Sequence, residues 1–156
     1  MNKKEQVSFL FVCMGNICRS PTVEAVARAE FARHGIAAVV ESAATEDYHI
    51  GQGADARSIA VAAAHGYSLA GHRARQVCPG DFGRFGYVLA MDRGNLHALQ
   101  RFRPPTGGVE PALFLGADEL PDPYYGGAAD FERVVELARE GVAAWIERLR
   151  VGTHRR

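Results

Sequence analysis

Residues 13–21 lie between two segments of opposite character and read Cys13-Met14-Gly15-Asn16-Ile17-Cys18-Arg19-Ser20-Pro21. The apolar run Val7–Val12 before them predicts a buried strand, and the amphipathic stretch after them predicts a helix that ends at Gly35. The backbone N–H groups at the start of a helix have no intrahelical partner. A turn that joins a strand to a helix is therefore a candidate anion-binding site.

Residues 13–20, which we call the Cys13 loop, have the residue types that a curled backbone requires. Gly15 and Asn16 tolerate the left-handed backbone conformations that such curling needs. Ser20 suits the N-cap of the following helix, and Pro21 suits its first position. The loop lacks lysine and the G-x-x-x-x-G-K-[ST] pattern, which argues against a nucleotide-binding P-loop.

Cys13 and Arg19 give this loop a chemistry beyond anion binding. A sulfur surrounded by amide donors, a guanidinium and a helix N-terminus is stabilised as the nucleophilic thiolate. The planar guanidinium can hold two oxygens of a phosphate. Two other interpretations are a small buried Cys13 beside a surface Arg19, and a zinc site. Cys13 and Cys18 lack the C-x-x-C spacing of zinc ligands, and Cys78 stands alone.

The rest of the chain alternates predicted strands and helices, which indicates the α/β class. We expect three layers, α/β/α, around a central four-stranded parallel sheet, with the Cys13 loop between the first strand and the first helix. The further strands are predicted at 37–43, 85–91 and 109–115, and the further helices at 55–65, 92–102 and 131–149. Within the last of these helices, Gly141 should lower helix stability by about 1 kcal/mol relative to Ala. We expect a single domain over residues 1–156, with its core at about 7–150 and a frayed tail at 151–156.

Composition limits the partners of this 156-residue chain. Its 18 basic and 18 acidic residues cancel, so we expect no nucleic-acid partner. Its apolar runs are shorter than the roughly 20 residues that cross a bilayer, and residues 1–6 do not resemble a signal peptide, so we expect no membrane insertion. Three cysteines, one of them a candidate thiolate, suit a reducing compartment and predict a cytoplasmic location.

Asp122 is the candidate proton donor for a leaving group. Pro121 and Pro123 hold its backbone extended on a rigid loop. An exposed turn aspartate is the alternative interpretation, and Asp118 and Glu119 are the alternative acids. Three tyrosines, Tyr48, Tyr124 and Tyr125, are candidates for the walls of a cleft that holds an aromatic ring, or are ordinary half-buried loop residues.

Four segments of the chain resemble the low-molecular-weight protein tyrosine phosphatases: the Cys13 loop, Ser42–Thr45, His72–Gln76 and Asp122–Gly126. The resemblance covers roughly residues 7–150. It implies hydrolysis of protein phosphotyrosine through a phosphocysteine, with neither metal nor cofactor. Cys13 would be the nucleophile, Arg19 the phosphate clamp and Asp122 the general acid and base. The loop residues that would bind phosphate are Met14, Gly15, Asn16, Ile17, Cys18 and Ser20.

The resemblance also implies partners and supporting residues. Tyrosine-phosphorylated proteins would be the substrates, and inorganic phosphate would be product and inhibitor. Asn16, Ser42 and His72 resemble a network that holds the loop, although on sequence alone a histidine such as His72 is more often a surface residue. Cys18 is a candidate redox guard that forms a disulfide with oxidised Cys13, or is merely packed under the loop.

Three alternative functions remain at this stage. A thiol-based arsenate reductase on the same fold needs a relay of further cysteines, for which Cys78 is the candidate beyond the loop. A non-catalytic phosphate-binding module is disfavoured because Cys13 and Asp122 are both present. A phosphoarginine phosphatase is disfavoured because such relatives carry Thr where Ile17 stands, and the apolar residue favours phosphotyrosine.

Overall fold

Strand β1 (Val7–Cys13) lies in the middle of the sheet in the computed structural model, which describes residues 6–154. Within this range the sheet has four strands in the order β2-β1-β3-β4, and each neighbouring pair is parallel. Consecutive residues Phe9–Val12 are all buried. A central parallel strand is covered on both faces, which explains the unbroken apolar run. The predicted α/β class and four-stranded parallel sheet are confirmed.

The other strands are shorter than or shifted from their predicted ranges. They are β2 (Ala38–Ala44), β3 (Tyr87–Ala90) and β4 (Ala112–Leu113). The predicted fourth strand at 109–115 is therefore too long. Pro111 directly precedes the two paired residues, and because proline has no N–H it cannot extend the ladder.

Five helices are described, and they run over α1 (Arg19–Arg33), α2 (Ala56–Ala64), α3 (Asp81–Arg84), α4 (Arg93–Leu99) and α5 (Ala128–His154). Helix α3 was not predicted, because four residues are too few to show a helical period. Residues 151–154, which the sequence analysis assigned to a frayed tail, continue α5. Residues 155–156 lie outside the described range.

Alternating side chains of β1 pack against different helices. Phe9 and Phe11 belong to a core cluster that includes residues of α1 and α5. Leu10 and Val12 belong to a second cluster with α3 and α4. Because successive side chains of a strand point to opposite faces, helices cover both faces of the sheet. The three-layer α/β/α prediction is confirmed.

Gly141 has a packing role that helix propensity did not indicate. A Cβ atom at this position would overlap the Phe114 ring and lie 2.8 Å from Leu115 Cδ2. The neighbouring Trp145 donates from Nε1 to the Phe114 carbonyl at 3.0 Å. Ala, which helix propensity alone favours, would clash at this position, because α5 approaches the end of β4 too closely to leave room for a side chain.

Three strand ends bring the candidate site together. Thr45 directly follows β2, and its N–H donates to the carbonyl of Cys13, the last residue of β1, at 2.9 Å. Beyond β3, the Met91 N–H donates to the Val12 carbonyl at 3.0 Å, and the Leu120 N–H donates to the Met91 carbonyl at 2.8 Å. Segments far apart in sequence therefore meet at the carboxyl edge of the sheet, where parallel α/β folds bind their ligands.

Candidate active site

Cys13 ends β1 with its sulfur inside the loop that follows. The residue is buried, and its Sγ lies 3.0 Å from Ser20 Oγ. The Asn16 N–H donates to the same sulfur at 3.3 Å. Hydroxyl and amide groups both stabilise a thiolate by donating hydrogen bonds to it. The surroundings of Cys13 therefore suit a nucleophilic sulfur.

Asn16 holds the Cys13 loop in its curled shape. Its φ of 59° is left-handed, and the residue is completely buried. The amide Nδ2 donates to Ser20 Oγ at 2.8 Å and to Ser42 Oγ at 2.9 Å. The Asn16 carbonyl accepts from His72 Nε2 at 2.7 Å, and Oδ1 accepts from the Arg75 N–H at 3.1 Å. Asn16 thus connects the loop to β2 and to residues after α2.

Gly15 does not use the left-handed conformation that it tolerates. Asn16 has a positive φ, whereas Gly15 is not among the described residues with positive φ. A Cβ atom on Gly15 would lie 2.9 Å from His49 Cδ2. A side chain at this position would therefore require the His49 ring to shift.

Helix α1 also begins differently from the prediction. It starts at Arg19 with Cys18 as N-cap, and no side chain caps it. The prediction of Ser20 as N-cap and Pro21 as first residue is wrong, because the Ser20 hydroxyl contacts Cys13 and Asn16. The N–H groups of the first helical turn have no intrahelical acceptor and suit an anion at the mouth of the loop.

Arg19 is a buried cation fixed along one edge. Its Nη1 donates to Asp92 Oδ2 at 2.8 Å and to the Leu120 carbonyl at 2.9 Å. Its Nη2 lies 3.7 Å from Asp122 Oδ2. Burial disfavours the charge, but nearby Cys13, Asp92 and Asp122 favour it more strongly and raise the pKa of Arg19. The guanidinium therefore remains charged and has a defined orientation.

Asp92 is a site residue that the sequence analysis missed. It is the N-cap of α4 and accepts from the Asn95 N–H at 2.7 Å, while its other oxygen holds Arg19. An aspartate directly after a buried strand and before a helix is a recognisable N-cap signal. Its contact with Arg19 spans 73 residues of sequence and follows from the sheet order.

Residues 118–126, which we call the Asp122 loop, approach the Cys13 loop from the end of β4. Leu120 is completely buried and bonded to Met91, which anchors the start of this loop. The Asp122 side chain is 49% exposed, and its Oδ1 accepts from the Tyr124 N–H at 3.1 Å. An exposed carboxyl group 3.7 Å from Arg19 can exchange protons with solvent and still reach a ligand of the loop.

One cavity of about 360 Å³ brings most of the predicted residues together. Every residue from Cys13 to Arg19 lines it, and so do Tyr48, His49, Asp122, Tyr124 and Tyr125. The exposed fractions of the tyrosines differ, at 64% for Tyr48, 37% for Tyr124 and 95% for Tyr125. Ile17, whose apolar side chain was expected to favour phosphotyrosine, is only 9% exposed. Met14 is 46% exposed and presents more apolar surface at the rim of the cavity.

Ser42, His72 and Ser20 lie behind the cavity rather than on its surface. Ser42 accepts from Asn16 and donates to Glu24 Oε1 at 2.6 Å. His72 is partly buried, and because its partner is a carbonyl its Nε2 carries the proton. The surface alternative for His72 is therefore replaced by a direct contact with the loop backbone.

The cysteines occupy different surroundings. Cys18 is buried, and burial raises its pKa to about 12, although a hydrogen bond with Ser58 acts in the opposite direction. It belongs to a small apolar cluster with Ile17 and Phe131, which fits the packed alternative as well as the guard role. Cys78 is exposed.

The described part of the chain has neither a metal-binding cluster of side chains nor a membrane-spanning helix. Between residues 6 and 154, no group of three or more His, Cys, Asp or Glu side chains is placed to hold a metal ion. Over the same residues, no helix is long and apolar enough to cross a membrane.

Comparisons with known proteins match this chain to one family. A family model described as low molecular weight phosphotyrosine protein phosphatase matches residues 8–154. The low molecular weight protein-tyrosine-phosphatase of Streptomyces coelicolor is 45% identical over 81% of this chain and 84% of its own length. The human low molecular weight phosphotyrosine protein phosphatase is 37% identical over 95% of this chain and 99% of its own.

Solved structures agree with these relatives. A protein tyrosine phosphatase from Entamoeba histolytica, with Hepes in the active site, has a TM-score of 0.87 and 35% identity over 94% of this chain and 99% of its own. Wzb from Vibrio vulnificus, in complex with benzylphosphonate, has a TM-score of 0.82 and 28% identity over 91% and 98%. The family model covers nearly the whole chain, and its match favours a phosphatase over the reductase and binding-module alternatives. The chain therefore belongs to the low molecular weight phosphotyrosine protein phosphatase family.

Proposed function

We propose that this protein tyrosine phosphatase hydrolyses phosphotyrosine in proteins through a phosphocysteine intermediate. The observation that carries the proposal is that Cys13, Arg19 and Asp122 border one cavity whose rim is aromatic. Phosphate monoesters need a nucleophile, stabilisation of the equatorial oxygens and protonation of the leaving oxygen. One candidate side chain is available for each requirement.

In the first step the Cys13 thiolate attacks phosphorus as the bond to the tyrosine oxygen breaks. Loop amides and Arg19 bind the equatorial oxygens, and Asp122 gives its proton to the leaving phenolate. In the second step water attacks the phosphocysteine and transfers a proton to Asp122. The S–P bond breaks, inorganic phosphate leaves and the thiolate is restored. Amides and guanidinium balance the phosphate charge, so these steps require no cofactor.

The aromatic and apolar rim supports phosphotyrosine as substrate. Tyr48, Tyr124 and Met14 surround a cavity that can contact a planar ring while the phosphate lies in the Cys13 loop. The benzylphosphonate of the related Wzb structure also joins an aromatic ring to a phosphate-like group. Inorganic phosphate shares the same loop and would act as product inhibitor.

The experiment compares three phosphorylated forms of matched peptides. We expect kcat/KM to be highest for phosphotyrosine, with phosphoserine and phosphoarginine at least about tenfold lower. Cys13→Ser serves as control for contaminating phosphatases and should trap tyrosine-phosphorylated proteins from lysate. Comparable kcat/KM values for phosphoserine and phosphotyrosine would contradict the proposed specificity.

We also propose a cytoplasmic location and a redox-guard role for Cys18. A reducing compartment keeps the Cys13 thiolate active, and a second thiol in the same loop can intercept its sulfenic acid as a disulfide. Cell fractionation checks the location, and peroxide treatment, described in the Discussion, checks the guard.

A further inference from the structure

Arg57, near the start of α2, reaches across to the Asp122 loop. Its Nε and Nη2 donate to the two carboxylate oxygens of Asp55 at 3.0 and 2.8 Å. Its remaining terminal nitrogen, Nη1, donates to the Tyr124 carbonyl at 3.1 Å. The guanidinium fork is thus bonded on one side to α2 and on the other to the turn that carries Asp122.

Two aromatic rings hold the same guanidinium. Its central carbon lies 4.5 Å from the centroid of Phe131 and 5.3 Å from that of Tyr124. Phe131 is buried in the first turn of α5, directly after the Asp122 loop. Arg57 therefore contacts the chain on both sides of residues 125–130. The planar guanidinium makes forked hydrogen bonds and contacts both rings at the same time. The ammonium group of a lysine cannot do both, so lysine is a poor substitute here.

The other end of this connection reaches the Cys13 loop. Asp55 is the N-cap of α2, and its N–H donates to the Ile17 carbonyl at 2.8 Å. Hydrogen bonds from Arg57 lower the pKa of Asp55, so the carboxylate stays charged at neutral pH. At the far end, the Tyr124 N–H donates to Asp122 Oδ1. A continuous path runs from Ile17 through Asp55, Arg57 and Tyr124 to Asp122.

The chemistry requires such a connection. A proton donor must lie within hydrogen-bond reach of the leaving oxygen, and misplacement by about 1 Å can cost 10²-fold in rate. Asp122 is half exposed, and its own hydrogen bond comes from within its loop. That local bond fixes the carboxyl group relative to the turn, but it does not fix the turn relative to Cys13.

We propose that Arg57 is a positioning residue that ties the Asp122 loop to the Cys13 loop and so sets the distance between the proton donor and the leaving group. The proposal rests on the function assigned above to Asp122. It predicts that Arg57 acts through Asp122 and not through phosphate binding. The alternative is that Arg57 only stabilises the start of α2 through Asp55.

The test measures kcat/KM for aryl phosphates whose phenols range from acidic nitrophenols to phenol itself. This constant reports the steps up to departure of the phenol, before phosphocysteine hydrolysis. We expect Arg57→Ala to lose about 10- to 100-fold with phenyl phosphate and much less with nitrophenyl phosphate. Arg57→Lys should lose an intermediate amount, and the inhibition constant of inorganic phosphate should not change.

A second background makes the test decisive. In Asp122→Asn, which has no proton to give, adding Arg57→Ala should cost nothing further. Arg133→Ala is the matched control, because Arg133 is an exposed arginine of α5 that pairs with Glu136, and it should retain full activity. Thermal midpoints of all variants identify losses caused by unfolding, and Arg57→Lys replaces Arg57→Ala if the latter does not fold.

An equal loss for every leaving group, or a loss that persists in the Asp122→Asn background, would overturn the positioning role. Failure of the proposed function is separately visible. If Asp122→Asn itself leaves the leaving-group dependence unchanged, Asp122 is not the acid, whatever Arg57 does.

Discussion

The Cys13 loop and the Asp122 loop lie on the same cavity but are held in different ways. In the Cys13 loop, Asn16, Arg19 and Ser20 are almost completely buried; Asn16 and Arg19 make hydrogen bonds with distant segments, and Ser20 makes them within the loop. In the Asp122 loop, the buried Leu120 anchors one end, and Asp122 itself is half exposed. The groups proposed to bind phosphate therefore lie in a buried and well-anchored part of the molecule, and the proposed proton donor lies in a part that solvent reaches.

This difference has a chemical reason. The groups that bind the phosphate dianion act best when they are preorganised and shielded, because a low dielectric strengthens their interaction with charge. A group that both gives and takes a proton during the cycle needs access to water and to two different partners. Changes in the first loop should therefore impair binding, rate and stability together, whereas changes in the second should impair proton transfer alone.

Removal of Arg19 should have the largest effect on activity. In Arg19→Ala the phosphate loses its guanidinium, and the Asp92 carboxylate loses its buried partner. We expect kcat/KM to fall by roughly 10³–10⁵-fold. Inorganic phosphate should also inhibit more weakly, with a higher inhibition constant. Steady-state kinetics and phosphate inhibition measure both. Unchanged phosphate inhibition would show that Arg19 is not the clamp.

Replacing the proton donor Asp122 should lower the rate of hydrolysis without weakening phosphate binding. For Asp122→Asn we expect a loss of roughly 10²–10⁴-fold with phenolic esters and a smaller loss with activated esters. Phosphate inhibition and the thermal midpoint should match the wild type, because the side chain is half exposed. A large drop in thermal midpoint would contradict the contrast between the two loops.

Substitution of Asn16 tests the rigid loop without touching the reacting groups. Asn16→Ala removes the side-chain bonds to Ser20 and Ser42 and places a Cβ-bearing residue at a φ of 59°. We expect about 2–4 kcal/mol less free energy of unfolding and about a 10- to 100-fold lower rate.

Asn16→Gly separates the two causes of this loss, since glycine accepts the left-handed backbone at little cost. Denaturant unfolding of both variants gives the comparison. If Asn16→Gly is as stable as the wild type, the side-chain hydrogen bonds contribute nothing measurable.

The same contrast explains what could be predicted from the sequence. Cys13, Arg19 and the curled loop lie in one contiguous stretch between a strand and a helix, where local rules apply. The contacts of Arg19 with Asp92 and Leu120 depend on the order β2-β1-β3-β4, which local patterns do not encode. The contact of Arg57 with the Asp122 loop joins residues 67 positions apart.

Two glycines show the same limit at the level of packing. A Cβ atom would meet the His49 side chain at Gly15 and the buried Phe114 ring at Gly141. Backbone conformation and helix propensity, the two properties visible in the sequence, suggested other reasons for these residues. Neighbours from distant segments decided both positions.

The last and smallest effect concerns Cys18 and the oxidation of Cys13. A guard thiol attacks the Cys13 sulfenic acid as a thiolate. The pKa of Cys18 is raised to about 12, mainly by burial. Burial does not depend on the charge of Cys13, so the pKa of Cys18 stays raised after Cys13 is oxidised. Below that pKa the thiolate fraction of Cys18 rises about tenfold for each pH unit.

After a fixed peroxide dose, the share of activity that dithiothreitol restores should therefore increase severalfold between about pH 6 and 8 in the wild type. Cys18→Ser, which keeps a small polar side chain beside Ser58, should show a lower recovery, and any pH dependence in this variant measures that of peroxide attack itself. Mass spectrometry should detect the Cys13–Cys18 disulfide in the wild type, increasing with pH in parallel with recovery. Equal recovery in the two proteins at every pH would contradict the guard role and would leave Cys18 as a packing residue under the loop.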